Sequence, residues 1–316
     1  MNISVIIPVY NAQEFLPKAV ESALQFDEVK EILLIEDAST DQSLEVCKNL
    51  VNKYQDHVKL YQHPDFGNHG AGATRNLGLE KVSQEYIAFL DADDYYLPNR
   101  FDAERILFQN PKVDGVFGAI GVEFLSEKGK SEYKEKFKDS TLTTVKFQAE
   151  GIDVFQGLLG LNGDFGVFFS LIALTVKKAS IEKYKLRFNA NLRVHQDTDF
   201  ITKLAFYSHL KTGIIDQAVS IRGVHDDNRI TKIKQYSSLF YRNLFLLYQS
   251  LDSWSKTQKN MSTEARKHIH RSFLSFESAN KNGVEKYTYF CSQAIADPTL
   301  LKTRYRFHAL NKPNDL

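Results

Sequence analysis

Along the front of the chain, short apolar runs alternate with stretches whose apolar residues recur at helical spacing. Residues 3–7 form a β-branched run that ends at Pro8, the pattern of a strand buried on both faces. Residues 12–25 follow, with Phe15, Leu16, Ala19, Val20, Ala23 and Leu24 on one helical side. The same alternation predicts strands at 31–35, 58–61 and 86–90, and helices at 41–54 and 71–82. Pro98 lies near the start of another helix through Gln109, where its missing N–H costs least. Residues 113–124 are β-rich, and the polar, lysine-rich residues 127–145 predict an exposed loop or short hairpin. The βαβαβα order predicts an α/β fold with a mostly parallel sheet flanked by helices.

Further on the pattern is mixed. It predicts helices at 152–159 and 197–207, a strand-like run at 167–176 and strands near 213–221. After Thr231 strand signals fade, and Ile233, Tyr236, Phe240, Leu244, Leu247, Leu251 and Trp254 form one stripe of a long helix. Segments 264–278 and 284–296 also look helical. These patterns predict a first domain over 1–230 and a helical C-terminal extension over 231–316.

The net charge of +1 (40 Lys+Arg against 39 Asp+Glu) argues against a polyanion-coating protein, and no nucleic-acid partner is expected. The average conceals a split. Residues 232–316 carry 14 Lys/Arg and 6 Asp/Glu, leaving 26 and 33 for the rest, which suggests different partners for each part. The basic tail admits a solvated helical face, packing on the first domain or in a homodimer, and peripheral contact with an anionic membrane. Cys47 and Cys291 are too few for a zinc or disulfide framework. The N-terminus lacks the basic start and long apolar core of a secretory signal. The expectation is a cytoplasmic protein, with a peripheral position at the inner face of the membrane left open.

In open α/β sheets, ligands bind beyond the carboxyl ends of the strands. There the chain places Pro8, Val9, Tyr10 and Asn11 after the first strand, Glu36 and Asp37 after the second, and Asp91-Ala92-Asp93-Asp94 after the fourth. Carboxylates gathered on one edge need a cation or a donor-rich ligand, and hard oxygens suit Mg²⁺ or Mn²⁺. The glycine-rich residues 67–72 lack the Lys-Ser/Thr of a phosphate loop, and Arg75 occupies the third glycine place of a dinucleotide fingerprint.

The blocks SVIIPVYNAQEFL, LLIEDASTDQS, NHGAGATRNLGL and EYIAFLDADD, in that order and spacing, resemble a family 2 glycosyltransferase. The resemblance implies the GT-A fold and an inverting transfer from a nucleotide sugar, with UDP-sugar as the default donor. It implies that Pro8, Val9 and Tyr10 line the base, that Asp37 accepts a uracil-like imide N–H beside Glu36, and that Arg75 approaches the nucleotide. Asn76 would shape that loop. Asp91 would bind ribose or base, Asp93 would hold Mn²⁺ or Mg²⁺ on the diphosphate, and Asp94 is a weaker candidate for substrate contact. His195-Gln196-Asp197-Thr198-Asp199 resembles the family's acidic pair. Asp197 would be general base on the acceptor hydroxyl, with Gln196 where glutamate is usual and Asp199 as base if the register shifts by two.

The block 222–231 resembles the closing arginine–histidine–serine block of many relatives. It implies His225 as a metal-side group, with Arg222 and Arg229 against the departing diphosphate. The implied acceptor is a glycan or lipid-linked hydroxyl in cell-surface polysaccharide or glycoconjugate assembly. Gln196 keeps open a non-catalytic nucleotide-sugar-binding or scaffold protein. A sugar-phosphate nucleotidyltransferase would need a glycine-rich start where this chain has PVYNAQEFLPK.

Overall fold

The computed structural model describes residues 1–137, 141–166, 168–226 and 232–314. The chain divides into two compact units, Met1–Asp226 and Asp227–Leu316.

The first unit is built on a seven-stranded sheet. In chain order its elements are β1 (Ile3–Val9), α1 (Leu16–Leu24), β2 (Val29–Glu36), α2 (Ser43–Lys53), β3 (Val58–Gln62), α3 (Ala71–Lys81) and β4 (Tyr86–Phe89), followed by β5 (Tyr95–Tyr96), α4 (Asp102–Leu107), β6 (Gly115–Phe117) and β7 (Ala119–Phe124). Then come α5 (Glu127–Phe137), α6 (Ile152–Leu158), β8 (Leu174–Lys177), α7 (Lys178–Lys183), α8 (Gln196–Tyr207), β9 (Leu210–Thr212) and β10 (Ala218–Val224). The large sheet runs β3-β2-β1-β4-β8-β6-β9, and a small one runs β5-β10-β7. Within the large sheet β8 is antiparallel to both its neighbours, while the other pairs are parallel.

The buried-on-both-faces pattern of β1 has a concrete cause. Ile3, Val5, Ile7 and Val9 join one core cluster with Leu16, Val20 and Leu50. Ile6 points the other way, toward α3, where a Cβ on Gly78 would meet Ile6 Cγ2 at 2.5 Å. Small residues let α3 lie close on the sheet, which is why its apolar stripe is faint in the sequence. Register aligns Val9 with Glu36 and Ile6 with Phe89, so residues 10–11, 37–41 and 91–94 leave the sheet at one edge.

Several elements depart from the sequence pattern. Residues 127–137 are helical, not loop or hairpin. Tyr133, 3% exposed, anchors that helix against Phe124 at 5.5 Å, and the two aromatics of this lysine- and glutamate-rich segment make no extended apolar stripe. The strand expected over 167–176 is confined to β8, preceded by a 3-10 turn over Leu171–Ala173. Residues 213–217 separate β9 from β10. The helix after Pro98 starts only at Asp102. Beside it the fully buried Arg100 donates to the Ile172 and Leu174 carbonyls and pairs with Glu104 at 2.5 Å. A buried cation with these partners fixes the approach of α4 to β8.

The second unit is helical in its described residues: α9 (Ser238–Thr257), α10 (Thr263–Ala279), α11 (Gly283–Ala296) and α12 (Thr303–Leu310). Ser237 accepts from the Phe240 amide and Ser262 from the Ala265 amide, both at 3.2 Å. These serine caps set the helix starts, so α9 begins after Ile233 and Tyr236. Leu274, Phe290, Leu300 and Tyr305 form one core there. Tyr241 and Phe276 form another, with Tyr248 stacked on Phe276. Among the described residues, no helix is long and apolar enough to cross a membrane.

Candidate active site

The loops that follow β1 and β2 are bound to each other before any ligand is considered. Asn11 Oδ1 accepts from the Thr40 amide at 2.7 Å, and Ser43 Oγ from the Ala12 amide at 2.8 Å. Asp41 accepts from the Gln13 and Ser43 amides. The amides of residues 12–13 are thus held by the loop after β2, and α1 starts at Leu16, later than the Ala12 start its apolar spacing predicts. Pro8 is half-buried in β1, and Val9 is fully buried in the core. Val9 also accepts from the Asp37 amide at 2.9 Å. Tyr10, 46% exposed, leaves the sheet edge open to solvent.

Glu36 and Asp37 are both 2% exposed. Glu36 accepts from the Ser39 amide and from Gln62 Nε2. The Asp37 carboxylate takes the His69 and Gly70 amides, each at 2.8 Å, and its carbonyl takes Asn68 Nδ2 at 2.9 Å. Asp37 therefore anchors the glycine-rich loop before α3 at this sheet edge, a partner set that local sequence could not reveal. The His63 and His69 rings lie beside it, tilted by 35° with centroids 4.2 Å apart. Burial holds the His63 imidazole below its usual range.

From α3, Arg75 reaches Asp91 at 2.5 Å and lies over the Phe188 ring at 5.6 Å. It is 6% exposed, and its Nε has no hydrogen-bond partner among the described residues. Asn76 clamps residue 188 by two bonds, donating to the Phe188 carbonyl at 2.9 Å and accepting its amide at 2.8 Å. Phe188 stacks in turn on Phe200 of α8 at 4.0 Å. The start of α8 lies against the start of α3, where a Cβ on Gly72 would strike Gln196 Oε1 and one on Gly70 would strike Arg193. Arg75, Phe188 and Phe200 thus join the acidic turn after β4 to the helix that carries Asp197. Phe188 is apolar and lies outside every recognisable motif, so sequence reasoning missed it.

At the helix itself the two aspartates differ. Asp197 is exposed and accepts its neighbour's amide from Thr198 on Oδ1 at 2.8 Å. Asp199 is fully buried and ion-paired with Lys203 at 2.6 Å. Gln196 is 8% exposed, a site where a neutral amide costs less than a carboxylate. His195 turns the chain into α8 in a left-handed conformation, φ 62°, and burial lowers its basicity.

On the other side, β10 delivers His225 to the acidic turn. His225 Nε2 lies 3.1 Å from Asp93 Oδ2, with side chains 20% and 28% exposed. Phe15 stacks on the imidazole at 4.8 Å, a contact hidden in sequence by its long separation. Asp94 is 4% exposed and accepts the Gly223 amide at 2.9 Å. Burial, then the Asp93 and Asp91 charges, raise its carboxyl well above the usual range. Asp94 therefore holds β10 against the turn instead of standing open to ligand. Arg222 donates to Ser170 Oγ at 3.3 Å. Arg229 lies outside the described residues.

Among the described residues no group of three or more His, Cys, Asp or Glu side chains is arranged to hold a metal alone. The Asp93–His225 pair, partly open to solvent, fits an ion that keeps water and phosphate oxygens as its other ligands.

The sequence profile described as "Glycosyl transferase family 2" matches residues 4–166. An uncharacterized glycosyltransferase of Haemophilus influenzae is 41% identical over 110 residues, 34% of this chain and 43% of that protein. The minor teichoic acid biosynthesis protein GgaA of Bacillus subtilis is 38% identical over 102 residues, 30% of this chain and 22% of that protein. The alignments thus span less than half the length of these relatives. Among solved structures, S. aureus TarS 1–349 in complex with UDP-GlcNAc superposes with a TM-score of 0.61 at 18% identity, over 98% of this chain and 80% of that one. The mannosyltransferase PcManGT from Pyrobaculum calidifontis, in complex with GDP-Man and Mn²⁺, gives 0.55 at 14%, over 98% and 85%. At these identities the likeness is one of fold.

Proposed function

The chain belongs to glycosyl transferase family 2, and we propose that it is an inverting enzyme that moves a sugar from a UDP-sugar to a hydroxyl of a glycan or lipid-linked acceptor. The observation that carries this reading is the meeting of Asp93, on the turn after β4, with His225, at the end of β10. Arg75 and Asp91 are paired on the same turn, and Asn76 and Phe188 link it to the start of α8.

In this reading Tyr10 and the paired loops around Asp37 receive the uracil, and Asp91 meets the ribose. Mn²⁺ or Mg²⁺ held by Asp93 and His225 would supply positive charge against the diphosphate. Asp197 has the exposure a base needs, and its Oδ2 has no protein partner among the described residues. It takes the proton of the acceptor hydroxyl as that oxygen bonds to C1 of the donor sugar. The C1–O bond to the diphosphate breaks on the opposite face, so an α-linked donor gives a β-linked product. Asp199, buried against Lys203, is not open to an acceptor.

A role in cell-surface polysaccharide or glycoconjugate assembly is supported by the teichoic acid biosynthesis proteins among the relatives. A cytoplasmic site of action belongs to the same proposal. A thermal-shift screen of nucleoside diphosphates and UDP-sugars with Mn²⁺, followed by donor turnover on the stabilising ligand, tests it. Stabilisation by UDP with no turnover on a broad acceptor panel would favour the nucleotide-sugar-binding reading instead.

A further inference from the structure

At one end of the second unit, the start of α9, the α10–α11 junction and the segment after α12 enclose a groove of about 870 Å³. Arg242, Lys281, Lys286 and Lys312 line it, and among the described residues no acidic residue does. Lys281 has its own counter-ion in Glu285 at 2.9 Å. Lys286 does not. It is 7% exposed, and its ammonium donates to the Asn311 carbonyl at 3.0 Å with no carboxylate in ion-pair reach among the described residues. A buried ammonium with one neutral partner is costly unless an anion completes it, and burial already lowers its basicity.

The groove is also built to hold its shape. Asn311 Nδ2 donates to the Tyr241 hydroxyl at 2.9 Å, and Asn280 Nδ2 donates to the Tyr241 carbonyl at 3.0 Å. These bonds tie the segment after α12 and the end of α10 to α9. The first turn of α11 opens at its rim, where Asn282 makes no side-chain cap. Nothing stands within 4 Å of a Cβ built on Gly283. Uncapped amides of a fourteen-residue helix add donors for an anion. Val284 and Tyr287, 76% and 47% exposed, offer apolar surface beside the charges. The volume falls in the range of small-ligand sites and exceeds what a bare inorganic ion fills.

We propose that this groove is a second ligand site, separate from the nucleotide-sugar site, that binds a phosphate ester. Lys286 and Arg242 would take the phosphate oxygens, and Tyr287 would flank the organic part of the ester. A soluble ester and a phospholipid headgroup share this chemistry.

Calorimetric titration of the full chain with glycerol 3-phosphate, and co-sedimentation with phosphatidylglycerol or phosphatidylcholine vesicles, separate the two sources. Binding of glycerol 3-phosphate, or retention on phosphatidylglycerol but not phosphatidylcholine vesicles, is expected. It should weaken about tenfold in Lys286→Met and in Arg242→Ala/Lys312→Ala, and fall further as salt is raised. The double variant alters exposed side chains only and keeps the test sound if Lys286→Met fails to fold. UDP affinity in the same samples should stay unchanged, so this test stands apart from that of the catalytic reading. Binding of neither probe, or equal affinity in the folded double variant, overturns the proposal.

Discussion

His225 Nε2 stands 3.1 Å from Asp93 Oδ2, joining the residue after β10 to the acidic turn after β4 across 132 positions of sequence. This pair is the seat proposed for the divalent ion. Asp93→Ala and His225→Ala should each weaken UDP binding in the presence of Mn²⁺ at least about tenfold. Without metal, wild type and variants should bind alike. Calorimetry with and without chelator checks this, and an undiminished Mn²⁺ effect in both variants would remove the pair from the site.

Gly223 allows that approach. A Cβ there would collide with the Asp93 carbonyl oxygen, so Gly223→Ala must separate β10 from the turn. A cost of about 2 kcal/mol in urea unfolding is expected, together with loss of the Mn²⁺-dependent part of UDP affinity.

Arg75 depends on Asp91 for its charge partner. Asp91→Ala leaves a nearly buried guanidinium over Phe188, and should destabilise the fold by about 2 kcal/mol. Arg75→Met combined with Asp91→Ala should recover part of that loss. A double-mutant cycle by denaturant unfolding reads the coupling.

In the second unit, burial and then the Arg304 and Arg271 charges lower the His268 imidazole to about 3. In the unfolded chain it titrates near the ordinary value of about 6.5. Between those values the unfolded state binds the extra proton, so stability is full above the upper value and falls as pH drops through the window. At about pH 5 the loss is on the order of 2 kcal/mol. His268→Gln should flatten this pH dependence, as followed by thermal unfolding from pH 7 to pH 5.

Much of the site was legible because its chemistry sits where strands end. The runs of β1, β2 and β4 are apolar on both faces, and the carboxylates of residues 36–37 and 91–94 follow them directly. What local sequence hid is partnership at a distance. Asp37 follows β2 as an acid or a helix cap would, and its carboxylate also holds the His69 and Gly70 amides of a distant loop. Phe15 looks like one more residue of an apolar stripe, yet it supports His225. Asp197 and Asp199 both lie in the first turn of α8, and their difference in burial could not be read from their spacing. Helix α5 was hidden because, among its described side chains, Tyr133 is the one buried aromatic in a lysine- and glutamate-rich segment.

Asp197 as general base in glycosyl transfer from a nucleotide sugar is tested by UDP release from the donor found by screening, with acceptor present, in wild type and Asp197→Asn. A rate loss of about 10²–10⁴-fold is expected, with UDP affinity and unfolding midpoint unchanged. An Asp197→Asn enzyme that turns over as fast as wild type would contradict it.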